Sequence, residues 1–452
     1  MSGGTDFGRG LLVTDLYQLN MVEAYLADGE DRTAVFELFA RKIAPKRGFL
    51  LTAGLAQAVD FLLSAGASAA DRAFLRETGR FTDRLDAFLA GFRFTGDVDA
   101  PPEGTILFPD EPLIRVTAPL PQAQLVETRL INFLHFQTLV ATKAARMRLA
   151  APEAALVDFG LRRAHSGESG VLAARAAIIA GFAGTATVEA GRLFGAPLMG
   201  TMAHSFVQAH EDESAAFRAF AHARPGETTF LIDTYDVARG AERVAALAPE
   251  LAAAGIATKG VRIDSGDLAA HARAVRAILD RAGLREARII ASGGLDEAEL
   301  ARLVAEGAPI DGYGIGTSLV TSEDMPALDV AYKLKAHAGR PVRKLSEGKS
   351  YWPGPTQVWR RRDAAGRLSD DVIAAAEEAG PPGAEPLLRP VIRAGRRVEA
   401  PEPLEAMRAR AAAELAALPD ALRRLDDAPE HPVSATDRLR KLAEETSARL
   451  RG

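Results

Sequence analysis

The stretch GVRIDSGDLAAHARAVRAILDRAGLREARIIASGG (260–294) decides how this chain is read. A short apolar strand, GVRI, runs into an acidic, glycine-containing turn and then into a helix over 267–283. A second apolar strand, ARII, follows and ends in Ser-Gly-Gly. Strand, crossover helix and strand make a βαβ unit, which belongs to a parallel sheet whose strands are covered on both faces.

The same texture extends in both directions. Upstream lie the strands ALVDFG (155–160), APLMGT (196–201) and TTFLID (228–233), separated by helices over 170–181, near 211–222 and over 237–253. Downstream come a helix over 296–306 and the strand DGYGIGTS (311–318). At least six units in a row, each strand ending in Gly, Asp, Ser or Thr, predict an irregular TIM-like α/β barrel over 151–335, closed rather than open. Residues 1–150 read as an N-terminal α/β sandwich-like domain. It has a helix from Thr14 (Thr14 or Asp15 as N-cap), a strand over 33–41, two short strands within 104–119 and one long helix from Pro121 to Ala150. Residues 336–452 read as a C-terminal segment completing that domain, hairpin-rich over 345–367 with turns at Pro353–Gly354 and Gly366. A tail of solvated, charged helices over 404–452 ends the chain.

Composition narrows the function classes. The chain has 452 residues, enough for two or three domains. With 55 basic and 60 acidic residues its net charge is −5, which excludes a polycation made to coat nucleic acid or an anionic membrane. Cys is absent, which removes disulfides, thiolate metal sites and a cysteine nucleophile. No basic-then-apolar leader opens the sequence and no run is long enough to span a bilayer, so the expected compartment is the cytosol.

In a barrel the chemistry gathers at the C-terminal ends of the strands. There the sequence places Asp158-Phe159-Gly160 before Arg162, Gly200-Thr201 before His204, and Asp233-Thr234-Tyr235-Asp236. Arg262 with Asp264 and Asp267, Ser292-Gly293-Gly294 and Gly314-Ile315-Gly316-Thr317 complete the set. The last two are Gly-rich turns that open helices, an arrangement suited to phosphate. Arg262 offers a planar fork to a carboxylate or phosphate, and Asp264 is suited to sugar hydroxyls or Mg²⁺. Ser265 and Asp267 equally suit the N-cap and first turn of the helix that follows. His204, one of eight histidines, pairs in this reading with Asp233, which would fix its tautomer and make it a base or nucleophile.

The motifs TDLYQLNM (14–21), DFGLRRA (158–164), GTMAHSFV (200–207), LIDTYD (231–236), GVRIDSGDL (260–268) and GIGTSLVT (314–321) resemble nicotinate phosphoribosyltransferases. KLSEGKSYWPGPTQVWRR (344–361) resembles the same family beyond the barrel, so the likeness covers about 12–361; the tail past 380 carries no matching motif. The resemblance implies a type II phosphoribosyltransferase and a homodimer with shared active sites. The implied reaction joins nicotinate to 5-phosphoribosyl 1-diphosphate, coupled to ATP hydrolysis and requiring Mg²⁺. Residue by residue, it implies that His204 is phosphorylated by ATP and oriented by Asp233. It places Tyr17 (from the partner subunit), Thr201 and Arg262 on nicotinate, and Arg162, Asp264, Gly294 and Thr317 on the phosphoribosyl donor. In the nicotinamide enzymes that this family resembles, a Gly-Thr-Asp-Thr stretch sets an acid against the amide. Here Gly184-Thr185-Ala186-Thr187 has Ala186, which leaves room for a carboxylate. His165 and Ser292-Gly293-Gly294 depart from the family's usual residues. Nicotinamide and quinolinate enzymes are the alternatives within the class. Outside it stands a phosphosugar aldolase or isomerase, which needs a Schiff-base Lys or acid–base Glu that these strand ends do not supply.

Overall fold

The computed structural model describes residues 10–43, 46–345 and 351–451. They divide into two compact units, one of residues up to 142 together with those from 327 on, the other of residues 143–326. The division falls inside the helix Glu127–Ala150.

The first unit is built on a seven-stranded sheet. Thr33–Lys42 lies between Asp329–His337 and Pro112–Pro119, antiparallel to both. The expected N-terminal helix runs Leu16–Ala27, with Asp15 extended in the cap position and no side-chain cap bond. The segment 104–119 forms Ile106–Leu107 and Pro112–Pro119, Pro112 sitting at a strand start where its missing N–H costs no ladder bond. The single long helix expected from Pro121 is two, Leu120–Leu125 and Glu127–Ala150, parted at Val126. A hairpin of Thr356–Arg362 and Leu368–Ala375 turns at Gly366, whose φ of +78° favours glycine.

The tail is not a solvated surface. Its helix Leu404–Ala417 buries Met407, Ala411 and Leu415. Glu414 of that helix accepts from Arg360 Nη1 at 2.9 Å, and Arg360 also grips Asp371 with both nitrogens of its fork, at 3.0 and 2.6 Å. Phe108 lies beneath this group, stacked on His431 from the tail at 3.8 Å between ring centroids. A guanidinium with no exposure requires such company, because an unpaired charge there would be very costly.

The second unit holds six parallel strands, in chain order Ala155–Asp158, Gly184–Thr185, Thr229–Leu231, Gly260–Ile263, Arg288–Ser292 and Gly312–Ile315. Across the sheet they run second, first, sixth, fifth, fourth, third. The last strand therefore pairs with the first, as it does when a barrel is wound in sequence. The hydrogen-bonded ladder does not close, however, among the described residues. The expected strand over 196–201 shrinks to one bridge, Leu198 to Thr185, between the second and third strands. Gly195 at φ +68° and Pro197, which has no N–H, keep that segment from a longer ladder.

Candidate active site

Consecutive strand ends are stitched to one another by side chains. The Asp264 amide, past the fourth strand, donates to Asp233 Oδ2 past the third at 2.9 Å, and the Ser265 hydroxyl donates to the same oxygen at 2.7 Å. Ser292, closing the fifth strand, donates to Asp264 Oδ1, and Ser318, beyond the sixth, donates to the Leu295 carbonyl. On the other side Thr185 donates to Asp158 at 2.6 Å, and the Phe159 amide donates to the Ile315 carbonyl at 2.7 Å.

Among these strand ends Arg262 rises from the fourth strand. Its Nη1 donates to Thr201 Oγ1 at 2.8 Å and its Nη2 to the Met202 carbonyl at 3.0 Å, while Nε is buried without a hydrogen-bond partner. The guanidinium stands 5.7 Å from the Phe159 ring centroid. Burial pulls its pKa below the usual arginine range, with Arg162 adding to that and Asp264 and Asp233 opposing it. An arginine remains charged nonetheless, so the site keeps a partly desolvated cation able to bind an anion strongly.

His204 opens a short helix, His204–Gln208, its side chain 40% exposed. Its Nδ1 lies 3.2 Å from Thr234 Oγ1 and its Nε2 lies 3.8 Å from Asp264 Oδ2. The expected partner was Asp233. That carboxylate is turned instead to the neighbouring strand end, where Asp264 and Ser265 hold Oδ2 and Oδ1 is left buried and unpartnered. One residue further on, Thr234 takes the place beside the imidazole. Ser265 is likewise not a helix cap; Asp267 caps the helix Leu268–Arg281 by accepting from the Ala270 amide at 3.1 Å.

The structure brings His204, Asp233 and Asp264 into one group and joins Thr201 to Arg262, whose charge is felt by both of those carboxylates. Gly294 lies in the turn after the fifth strand at φ +64°, with open space where a Cβ would stand. A cleft of about 480 Å³ adjoins it, lined by Ser265, Gly266, Gly293, Gly294, Asp296 and Arg302. Arg162 is exposed beyond the first strand, and Thr317 is exposed beyond the sixth. Tyr17 belongs to the other unit, 49% exposed, its hydroxyl donating to Glu127 Oε1 at 3.3 Å.

Residues 12–135 match the nicotinate phosphoribosyltransferase (NAPRTase) N-terminal domain, 154–347 the nicotinate phosphoribosyltransferase (NAPRTase) family, and 380–443 the nicotinate phosphoribosyltransferase C-terminal domain. Nicotinate phosphoribosyltransferase pncB2 of Mycobacterium tuberculosis is 46% identical over 432 residues, covering 95% of this chain and 92% of that one. The chain belongs to the nicotinate phosphoribosyltransferase family. The Bacillus subtilis nicotinate phosphoribosyltransferase is 40% identical over 81% of this chain and 76% of its own. The crystal structure of human nicotinic acid phosphoribosyltransferase superposes with a TM-score of 0.87 at 31% identity, covering 96% of this chain and 99% of that one. The family match to 380–443 also extends the likeness into the tail, where the motifs had shown none.

Three neighbours of the site stand in the sequence only as members of strand-end runs, with no role of their own. Thr234 was visible only as part of a polar run, and nothing in that run ranks a hydroxyl above the carboxylates flanking it. Phe159 reads as one more apolar residue, yet it lies under Arg262, and Gly314 makes room for it: a Cβ there would come within 2.3 Å of its ring. Ser292 has no signature of its own, since its value lies in reaching Asp264 across the sheet.

Proposed function

We propose that this member of the family transfers the phosphoribosyl group of 5-phosphoribosyl 1-diphosphate to the ring nitrogen of nicotinate. The products are nicotinate mononucleotide, a precursor for NAD, and diphosphate, and ATP hydrolysis is coupled to the transfer. The observation that carries the reading is the meeting of Arg262, His204 and Asp264 at one mouth, in a chain alike to such enzymes over 95% of its length.

In this reading the bond from ribose C1 to the diphosphate oxygen breaks with its electron pair leaving on diphosphate. The ribose passes through oxocarbenium character, and the pyridine nitrogen forms the new C1–N bond. The protein supplies no nucleophile for this step; it positions the partners and stabilises charge. Arg262 and Thr201, already joined at 2.8 Å, hold the nicotinate carboxylate, and Tyr17 of a second subunit covers the pyridine ring. Asp264 accepts from the ribose hydroxyls, Arg162 attracts the diphosphate, and the turns at Gly294 and Thr317 take the 5-phosphate. Ala186 leaves the carboxylate unopposed.

Coupling runs through His204. A neutral ring nitrogen attacks the γ-phosphorus of ATP, the N–P bond forming as the P–O bond to ADP breaks, and water later cleaves the phosphohistidine. Thr234, at 3.2 Å, keeps the ring oriented for this. Among the described residues no group of three or more His, Asp or Glu side chains converges as a metal site. Mg²⁺ would be held chiefly by the phosphates of the substrates, the usual way for this ion, with Asp233, whose Oδ1 has no partner, the carboxylate that would join them. When bound, it offsets charge on the departing diphosphate. The enzyme is read as a cytosolic homodimer working on small anions; no helix among the described residues is long and apolar enough to cross a membrane.

The test has two arms. Incubation with γ-labelled ATP labels the protein on His204, and His204→Ala removes the label; an unlabelled wild type refutes the coupling. Nicotinate turns over faster than nicotinamide or quinolinate with the same donor, and the reverse order refutes the substrate.

A further inference from the structure

Asp158 closes the first strand with no exposure at all, and its partners are neutral. The Thr185 hydroxyl lies 2.6 Å from Oδ2, the Thr187 hydroxyl 3.4 Å from the same oxygen, and the Gly160 amide donates to Oδ1 at 2.8 Å. Burial pushes this carboxyl above the ordinary aspartate range, and the three hydrogen bonds pull against that shift. Burying a carboxylate among neutral donors alone is unfavourable, and a hydrophobic residue would fill a strand end more cheaply. The group therefore does something that packing alone does not require.

The hydrogen bonds show what it holds. Thr185 Oγ1 accepts from the Thr187 amide at 2.9 Å, so its own hydrogen is directed to Asp158. The Ala186 amide donates to the Asp158 carbonyl at 2.8 Å. Residues 185, 186 and 187 are each tied to residue 158, two of them through its carboxylate. Thr185 and Thr187 are wholly buried, and Ala186 between them is exposed. The Thr185 backbone bonds Pro197 and Met199, which begin the segment that ends at Thr201, the acceptor of the hydrogen bond from Arg262.

We propose that Asp158 is a positioning residue that holds Ala186 at the edge of the nicotinate subsite and so sets the preference for a carboxylate over a carboxamide, a proposal that rests on the transfer reaction above. The selectivity follows from geometry. A small side chain discriminates only if its backbone cannot shift to admit water or a rotated ligand, and the clamp denies that shift.

Two disruptive substitutions and one conservative control isolate the clamp. Thr185→Val keeps the side-chain shape and removes the hydroxyl that links Thr187 to Asp158, whereas Thr185→Ser keeps the link. Asp158→Asn places an N–H against either the Gly160 amide or the threonine hydroxyls. Steady-state kinetics with nicotinate, nicotinamide and the phosphoribosyl donor, together with Tm, are read for each. Thr185→Val and Asp158→Asn raise the KM for nicotinate about tenfold, the size of one or two lost hydrogen bonds, and lower the nicotinate-to-nicotinamide ratio by the same factor. The KM for the phosphoribosyl donor moves less than about twofold, and Thr185→Ser behaves like wild type. If both KM values rise together, or if Tm falls while nicotinate KM and the selectivity ratio stand still, the clamp is merely structural and the proposal is overturned. A wild type that does not turn over nicotinate instead overturns the reaction, and this role with it.

Discussion

Gly293 and Gly294 are adjacent, both at positive φ, and the structure assigns them different consequences when each is replaced by alanine. Gly294 has φ +64° and nothing within 4 Å of the place a Cβ would occupy, so Gly294→Ala costs only the left-handed backbone, about 1 kcal/mol. Gly293 has φ +94°, and a Cβ there would sit 2.1 Å from the Asp264 carbonyl oxygen. Ordinary contact begins near 3.4 Å, so the two chains must part by the difference, 3.4 less 2.1, or about 1.3 Å. Backbone strain of about 1–2 kcal/mol and overpacking of about 1–3 kcal/mol sum to roughly 3–4 kcal/mol. At about 2–4 °C per kcal/mol, Gly293→Ala lowers Tm by roughly 10 °C and Gly294→Ala by about 2–4 °C. Kinetics separate them in the opposite sense. Because its new methyl lies where the 5-phosphate is proposed to bind, Gly294→Ala raises the KM for the phosphoribosyl donor about tenfold with little change for nicotinate. Gly293→Ala pushes on Asp264, whose amide is held by Asp233, and so impairs both substrates. Scanning calorimetry and steady-state assays on the pair decide the matter. Equal Tm losses refute the contact argument, and an unchanged donor KM in Gly294→Ala refutes the phosphate placement.

Two further outcomes follow from the charges and from His204. Burial tends to raise the Asp371 carboxyl, but neighbouring His431 and Arg360 outweigh it and hold the group at about 2, below the roughly 3.9 of an unfolded aspartate. Its contribution is therefore present above about pH 4 and is lost as pH falls toward 2. Urea unfolding puts Asp371→Asn below wild type at pH 6 by about 1.5–3 kcal/mol, since Glu414 still faces Arg360, and its stability declines less between pH 5 and pH 2; parallel pH curves would contradict this. Thr234→Val removes the 3.2 Å partner of His204 Nδ1 and slows phosphohistidine formation about tenfold in a rapid-quench assay, with transfer in the absence of ATP falling less. Wild-type labelling rates in that variant would show that the ring is oriented by something else.

Much of the second unit was readable because its strands are apolar on both faces and its helices are not, so two periods alternate cleanly. The strand ends then followed from where each apolar run stops, which put Arg262, Asp264 and His204 at neighbouring strand ends. What failed was finer. A shift of one residue at a strand end exchanges Asp233 for Thr234 beside His204, and the exchange depends on which group the adjoining strand captures first. APLMGT looked like a strand because composition does not register that Pro197 and its glycine neighbours limit pairing to one bridge. The tail misled for another reason. Its helix Leu404–Ala417 is rich in Ala, Arg and Glu and looks solvated, but Glu414 finds its partner in Arg360, 54 residues earlier, and no local pattern signals such a pairing.

That pairing has a consequence for the order of synthesis. Arg360 and its hairpin partner Asp371 emerge from the ribosome before Glu414 and His431 exist, so the hairpin Thr356–Arg362/Leu368–Ala375 must wait for the residues that complete the buried charge group. The unit of residues 143–326 is continuous and meets no such delay. It is expected to fold first on the nascent chain, while the residues before it stay open until the last helix arrives. The period between those events, rather than the finished molecule, is when this protein most needs protection from aggregation.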